Sequence, residues 1–215
     1  MDELYHHGIK GQKWGVRRYQ NYDGSRIKKT TDYINEGGTI KKGTVLYRVG
    51  AEKGDPTALN RKYFSTNSND NRNWHTALDD QNMAYGGTSD LRYKTNRDLR
   101  IASNAEVGKE FLSMLKNSDD KTLAVSCKDI ETALQEYGLK VERNPKDVHY
   151  WGNLGTATIA AQTVTGQRFI DDLLKNGYDG AADINGIDIS KDPIVIFNPD
   201  KNTTKTYEKF YKDYY

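Results

Sequence analysis

Two short β-rich runs bracket most of this chain, "GTVLYRVG" at 43–50 and "PIVIFNP" at 193–199, and helical periodicity lies between them. Both runs are β-branched and bounded by glycine or proline, the signature of strands. A second short strand follows the first in "RKYFSTNSND" (61–70), running into a polar loop, and "LRYKTNRDLRIAS" (91–103) reads as strand, turn, strand. "GYDGAADING" (177–186) gives a further strand, separated from "PIVIFNP" by a polar loop. Helices are expected from Trp74 to Tyr85, over "NAEVGKEFLSMLKN" (104–117), over "KDIETALQEYGL" ending at Gly138, and from Thr165 to Lys175. In the second of these Asn104 is the expected N-cap, and Val107, Phe111, Met114 and Leu115 fall on one face. The tyrosine-rich end, "TYEKFYKDYY", reads as a tail with room for a short helix. Strands towards both ends and helices in the middle favour an α+β fold over a regular parallel α/β fold.

The 215 residues suffice for one ordinary domain with an appendage. Only 35 % are apolar, and 15 are tyrosines, so the core leans on rings with polar ends. Thirty-two basic against 30 acidic side chains leave a formal charge of +2, which argues against bulk nucleic-acid coating. A single cysteine, Cys127, excludes an internal disulfide, and its apolar-leaning surroundings suit packing better than catalysis. No apolar stretch approaches the roughly 20 residues that span a bilayer, and the N-terminus lacks the apolar stretch of a signal peptide. The expectation is therefore a soluble protein without a membrane partner.

The first 29 residues are distinctive. Lys10, Lys13, Arg17, Arg18, Arg26, Lys28 and Lys29 outweigh Asp2, Glu3 and Asp23, and Gly8, Gly11 and Gly15 disfavour a stable helix. Tyr5 and Trp14 distinguish the segment from an ordinary tail, because disordered segments are poor in aromatics. It reads as an extended basic arm, residues 1–35, that orders on a partner. Trp14 is the candidate anchor, with Lys10, Lys13, Arg17 and Arg18 as a charged rim.

Signatures of common chemistry are missing: no phosphate-binding glycine loop, no Gly-x-Ser-x-Gly elbow and no His pair at helical metal spacing. No metal site is expected. Trp74 and His75 are read as packing residues, and His149, Tyr150 and Trp151 as lining a pocket or closing the core. What stands out is Arg48 inside an otherwise apolar strand. A guanidinium there either reaches solvent from an edge strand or meets an anion, for which its bidentate fork is suited.

Tyr47-Arg48 in one strand, Phe64-Ser65-Thr66 in the next, then Gly-Tyr-Asp-Gly and a late Val-Ile-Phe-Asn-Pro strand resemble the mono-ADP-ribosyltransferases. The resemblance spans residues 43–200 and implies a split β-sandwich with helices, preceded here by the arm and followed by a tail over 201–215. It also implies NAD as the bound substrate. Arg48 would hold the phosphate side, and Ser65 with Thr66 would order the nicotinamide pocket. A glutamate at the start of the late strand would steady the positive charge that develops as nicotinamide leaves. That glutamate should stand four residues before Phe197, where the chain has Pro193. The nearest acid is Asp192, one methylene shorter and displaced by one position, with Asp188 and Asp183 further back.

"HHGIKGQKWGVRR" (6–18) resembles a motif of proteins in prophage head modules of Gram-positive bacteria. The two resemblances together imply a phage- or prophage-encoded protein. It would transfer ADP-ribose to a host protein from within the host cytoplasm, and it would associate with the virion, at a head or portal protein, through its arm. Weak contact of the arm with packaged DNA is a lesser expectation. The rival reading is a catalytically inactive minor virion protein using the same fold.

Overall fold

A computed structural model describes residues 36–50, 60–72, 74–75, 87–117, 148–161, 163–183 and 193–212. Eight strands occur among them: β1 (Gly38–Ile40), β2 (Val45–Gly50), β3 (Arg61–Ser65), β4 (Thr88–Thr95), β5 (Leu99–Ala102), β6 (Gly180–Ala182), β7 (Pro193–Phe197) and β8 (Thr203–Tyr211). The helices are α1 (Asn104–Asn117), α2 (Val148–Ala160), α3 (Val164–Lys175) and a single turn, α4 (Pro199–Asn202). The expected helix over "KDIETALQEYGL" (128–139) lies outside the described residues, as do residues 76–85 of the one expected from Trp74 to Tyr85.

The strands form one sheet in the order β1-β5-β6-β7-β3-β2-β4-β8. Only β5 and β6 run parallel; the other neighbours are antiparallel. This order forces the sheet to curl. β1 and β2 stand five steps apart, about 24 Å in a flat sheet at ~4.8 Å per step. The link between them, residues 41–44, spans at most about 18 Å. β4 and β5 are also five steps apart and are joined by residues 96–98 alone. The two links close on each other: the Gly43 N–H donates to the Thr95 carbonyl (2.9 Å), the Thr95 hydroxyl to the Lys41 carbonyl (2.8 Å), and the Lys41 ammonium to Asp98 (2.8 Å).

The inside of the curl is one apolar core, to which Ile40, Leu46, Phe64, Leu91, Leu99 and Ile194 contribute from six strands. A second core lies between the outer face of the sheet and the helices, built on Val107, Phe111, Leu154, Phe169, Leu173 and Phe197. Each such fully buried side chain contributes on the order of 1.5–3 kcal/mol. β7 serves both cores and all five of its residues are buried, which explains its continuous apolar run.

Three local expectations are corrected. The N-cap of α1 is Ser103 and not Asn104. Its hydroxyl accepts from the Glu106 N–H (3.2 Å) while the Glu106 carboxylate accepts from the Ser103 N–H (2.8 Å), a reciprocal capping box. Asn104 is buried and instead bonds Asn153 (2.9 Å) and His149 (3.0 Å) on α2. Residues 149–151, expected to line a pocket or close the core, belong to helix α2, with Tyr150 and Trp151 packed in the core. The helix is not apparent in the sequence because Gly152 and Gly155 weaken the signal. Both glycines are there for contact: a Cβ on Gly152 would stand 2.2 Å from the Asn104 carbonyl oxygen. Finally, the described part of "TYEKFYKDYY" is not helical: residues 203–211 are β8, paired with β4 from Thr95↔Thr203 to Thr88↔Tyr211. The sheet therefore runs from Gly38 to Tyr211, wider at both ends than 43–200.

Candidate active site at the split between β2 and β3

Ladder pairing is uneven across the middle of the sheet. β3 pairs with β7 over five residues and β2 with β4 over six, but β2 meets β3 at a single pair, Tyr47↔Ser65. Beyond that pair β2 and β3 diverge, and the sheet divides into a β1-β5-β6-β7-β3 limb and a β2-β4-β8 limb. Arg48 stands at this division. It is half-buried on an interior strand, so the edge-strand reading of Arg48 does not apply. Its Nη1 donates to the Tyr63 carbonyl (3.2 Å), a backbone acceptor that the divergence leaves without a β2 partner in the ladder.

Ser65 is fully buried at the pivot, paired on one side with Tyr47 and on the other with Pro193. Its hydroxyl donates to the Asp70 carboxylate (2.6 Å) and accepts from the Asn67 N–H (2.9 Å). A charge-assisted bond of this length fixes the side chain in one orientation. The carboxylate belongs to a 3-10 turn, Ser68–Asp70, capped by the Asn67 side chain. Sequence reading gave this stretch as a polar loop and overlooked Asp70, although a buried acid five residues after a buried serine is its partner. Thr66 follows directly and is half-buried.

Asp183 lies next to this line. It is buried, and its N–H donates to the Pro193 carbonyl (3.0 Å), continuing the β6–β7 pairing to the start of β7. Tyr63, Arg61 and Asp183 form a polar group beneath the helices. Burial pushes the Tyr63 phenol far above its ordinary value and the Asp183 charge adds to this, while Arg61 and Arg48 oppose it. Tyr63 Oη and Arg61 Nε are buried without hydrogen-bond partners. Of the expected acids, Asp188 and Asp192 lie outside the described residues, as do Trp14, Lys10, Lys13, Arg17 and Arg18.

A second polar cluster surrounds Asp90 on β4. Its carboxylate is 2.8 Å from His75 Nε2 and accepts from the Asn71 amide (3.0 Å) and the Tyr211 hydroxyl (3.3 Å). His75 is thus a buried tie between β4 and the segment before it. On the helical side, Glu110, Met114, Asp172 and Lys175 line an open groove of about 350 Å³ between α1 and α3, remote from the split. Among the described residues no three His, Cys, Asp or Glu side chains cluster as metal ligands. No helix among them is long and apolar enough to cross a membrane.

Residues 1–21 match DUF7211, a family of unknown function. The match falls within the basic arm and does not reach the sheet. No curated protein and no solved structure matches the chain.

Proposed function

We propose that the split sheet binds NAD and transfers its ADP-ribosyl group to a protein acceptor. The observation that carries this reading is the register line Tyr47↔Ser65↔Pro193. It brings β2 with Arg48, β3 with Ser65 and β7 with Pro193 side by side, and the Asp183 N–H donates to the Pro193 carbonyl. Arg48 and Ser65 supply two of the three elements that the ADP-ribosyltransferase resemblance requires, and the position of the third, Pro193, lies beside them although the three are spread over about 150 residues of sequence. The half-buried Arg48 guanidinium suits a pyrophosphate, and the Ser65–Asp70 bond gives the neighbouring backbone a fixed form. In the reaction the bond from ribose C1′ to the nicotinamide nitrogen breaks, and its electron pair leaves with neutral nicotinamide. A bond then forms from C1′ to the acceptor, whose proton passes to water. A carboxylate beside C1′ would stabilise the positive charge of that step; Asp183, across the β6–β7 pairing from Pro193, is one candidate, and Asp188 and Asp192 are the others that the sequence offers.

The arm, with Trp14 as anchor, would attach this domain to a phage head or portal protein, which places the protein in the virion and then in the host. The second reading, a catalytically inactive virion component, is favoured by Pro193 at the first position of β7, where the resemblance calls for an acid.

Incubation with labelled NAD and host lysate separates the two. The enzyme transfers label, Arg48→Ala abolishes transfer, and alanine at Asp183, Asp188 or Asp192 identifies the acid. Absence of transfer together with absence of NAD binding by calorimetry rules out the enzyme. Deleting residues 1–21 should release the protein from its particle partner and leave NAD binding unchanged.

A further inference from the structure

We infer that the outer face of β2, β4 and β8 is a platform for single-stranded nucleic acid. Leu91 and Tyr93 of β4 point into the core of the curl, so Arg92 and Lys94, which alternate with them, stand on the opposite face, and both are exposed. Arg92 pairs with Tyr47 on β2 and with Tyr207 on β8, giving a cross-strand row of ring, guanidinium, ring. The next rows place Lys94 beside Thr204, and Lys209 beside Asp90. Tyr207 is 39 % exposed, and among the described residues only Phe210, on the same strand, is a comparably exposed ring.

The side chains of this face are ordered in advance. The Arg92 guanidinium lies 4.5 Å from the centre of the Tyr207 ring, and the Lys209 ammonium 4.7 Å from that of Tyr211. Arg92, Lys94 and Lys209 bring three exposed positive charges. The acid of this face, Asp90, is turned to His75, Asn71 and Tyr211. The local excess of positive charge calls for an anionic occupant, and the rings narrow its class. An acidic peptide would use the cations and leave the rings idle. A single strand uses both, stacking unpaired bases on tyrosine and arginine planes while its phosphates meet the lysines. The nearly neutral charge of the whole chain conceals this face.

The test is fluorescence anisotropy of the full chain with a labelled oligothymidylate at stepped salt. Two phosphate contacts, at Lys94 and Lys209, predict a slope of log affinity against log salt of about −1.4, and Lys94→Ala should make it shallower by roughly 0.7. Tyr207→Ala should weaken binding by roughly 5- to 150-fold, and Tyr207→Phe should restore it, since the ring alone stacks. These exposed positions leave the cores intact, and circular dichroism verifies that the variants fold. Arg48→Ala should have no effect, which separates this site from the one proposed for NAD. Binding that Tyr207→Ala does not alter, binding equally well competed by inorganic polyphosphate, or no binding at low salt would each overturn the inference.

Discussion

The Tyr63 hydroxyl is the clearest residue-scale anomaly of the site. The phenol is buried beside Arg61 without a hydrogen bond of good geometry, and burying such a group costs about 1–3 kcal/mol. Tyr63→Phe is therefore expected to keep or raise stability at neutral pH, by up to about 1 kcal/mol, in urea denaturation. A loss of stability would mean that the hydroxyl has a structural role. The pH dependence follows from the same burial. The folded phenol titrates above its ordinary value of 10.0, so its ionisation leaves stability unchanged below 10.0 and lowers it as pH rises beyond that. Tyr63→Phe should flatten that alkaline limb, measured as the difference between the wild-type and variant profiles. Ser65 behaves in the opposite way. Its hydroxyl donates to a buried carboxylate, and Ser65→Ala removes that bond from Asp70, which keeps the Asn67 amide, at a cost of about 1–3 kcal/mol.

At the scale of elements, α1 and α2 carry the most informative contact. Their axes approach closely because Gly152 has no side chain, and Gly152→Ala would drive a methyl group into the Asn104 carbonyl. The expected loss is about 1–3 kcal/mol in thermal or urea unfolding. Ser103→Ala removes half of the capping box and should cost on the order of 1 kcal/mol. If Gly152→Ala proves neutral, the two helices pack with more freedom than this contact allows. These elements also divide by legibility. α3 was read because Phe169, Ile170 and Leu173 form a stripe at helical spacing, whereas α2 was missed as a helix because its glycines and threonines serve packing. β8 was misread because Thr203–Tyr211 is polar on both faces, and its strand form comes from the β4 backbone beside it.

For the whole molecule, the decisive feature is closure of the curl by two short links. β8 completes the β2-β4 limb, and without it β4 becomes a bare, eight-residue edge. A chain ending at Asn202 should therefore aggregate or lose cooperative unfolding, as seen by light scattering and calorimetry. Recovery of a cooperative, monomeric species would show that the limb is stable without its last strand. Arg97 secures the same region. It pairs with Asp179 through both carboxylate oxygens and with the Asn202 amide oxygen (3.1 Å), tying the β4–β5 link to α4 and the start of β6.

The sequence by itself determined the α+β class, most strands and two of the helices, because apolar periodicity is a local property that survives without tertiary context. It also singled out Arg48 and Ser65, since a guanidinium in an apolar strand and a Ser-Thr pair at a strand end are conspicuous as residue types. Only the tertiary structure decided that Arg48 lies on an interior strand and that Ser65 is committed to Asp70. The meeting of β2 and β3 at one pair, and the row of Tyr47, Arg92 and Tyr207 across three strands, were likewise decided there. These are matters of which strand lies beside which. Strand order is set by the burial of two cores and by the reach of short links, and neither can be read from any one segment.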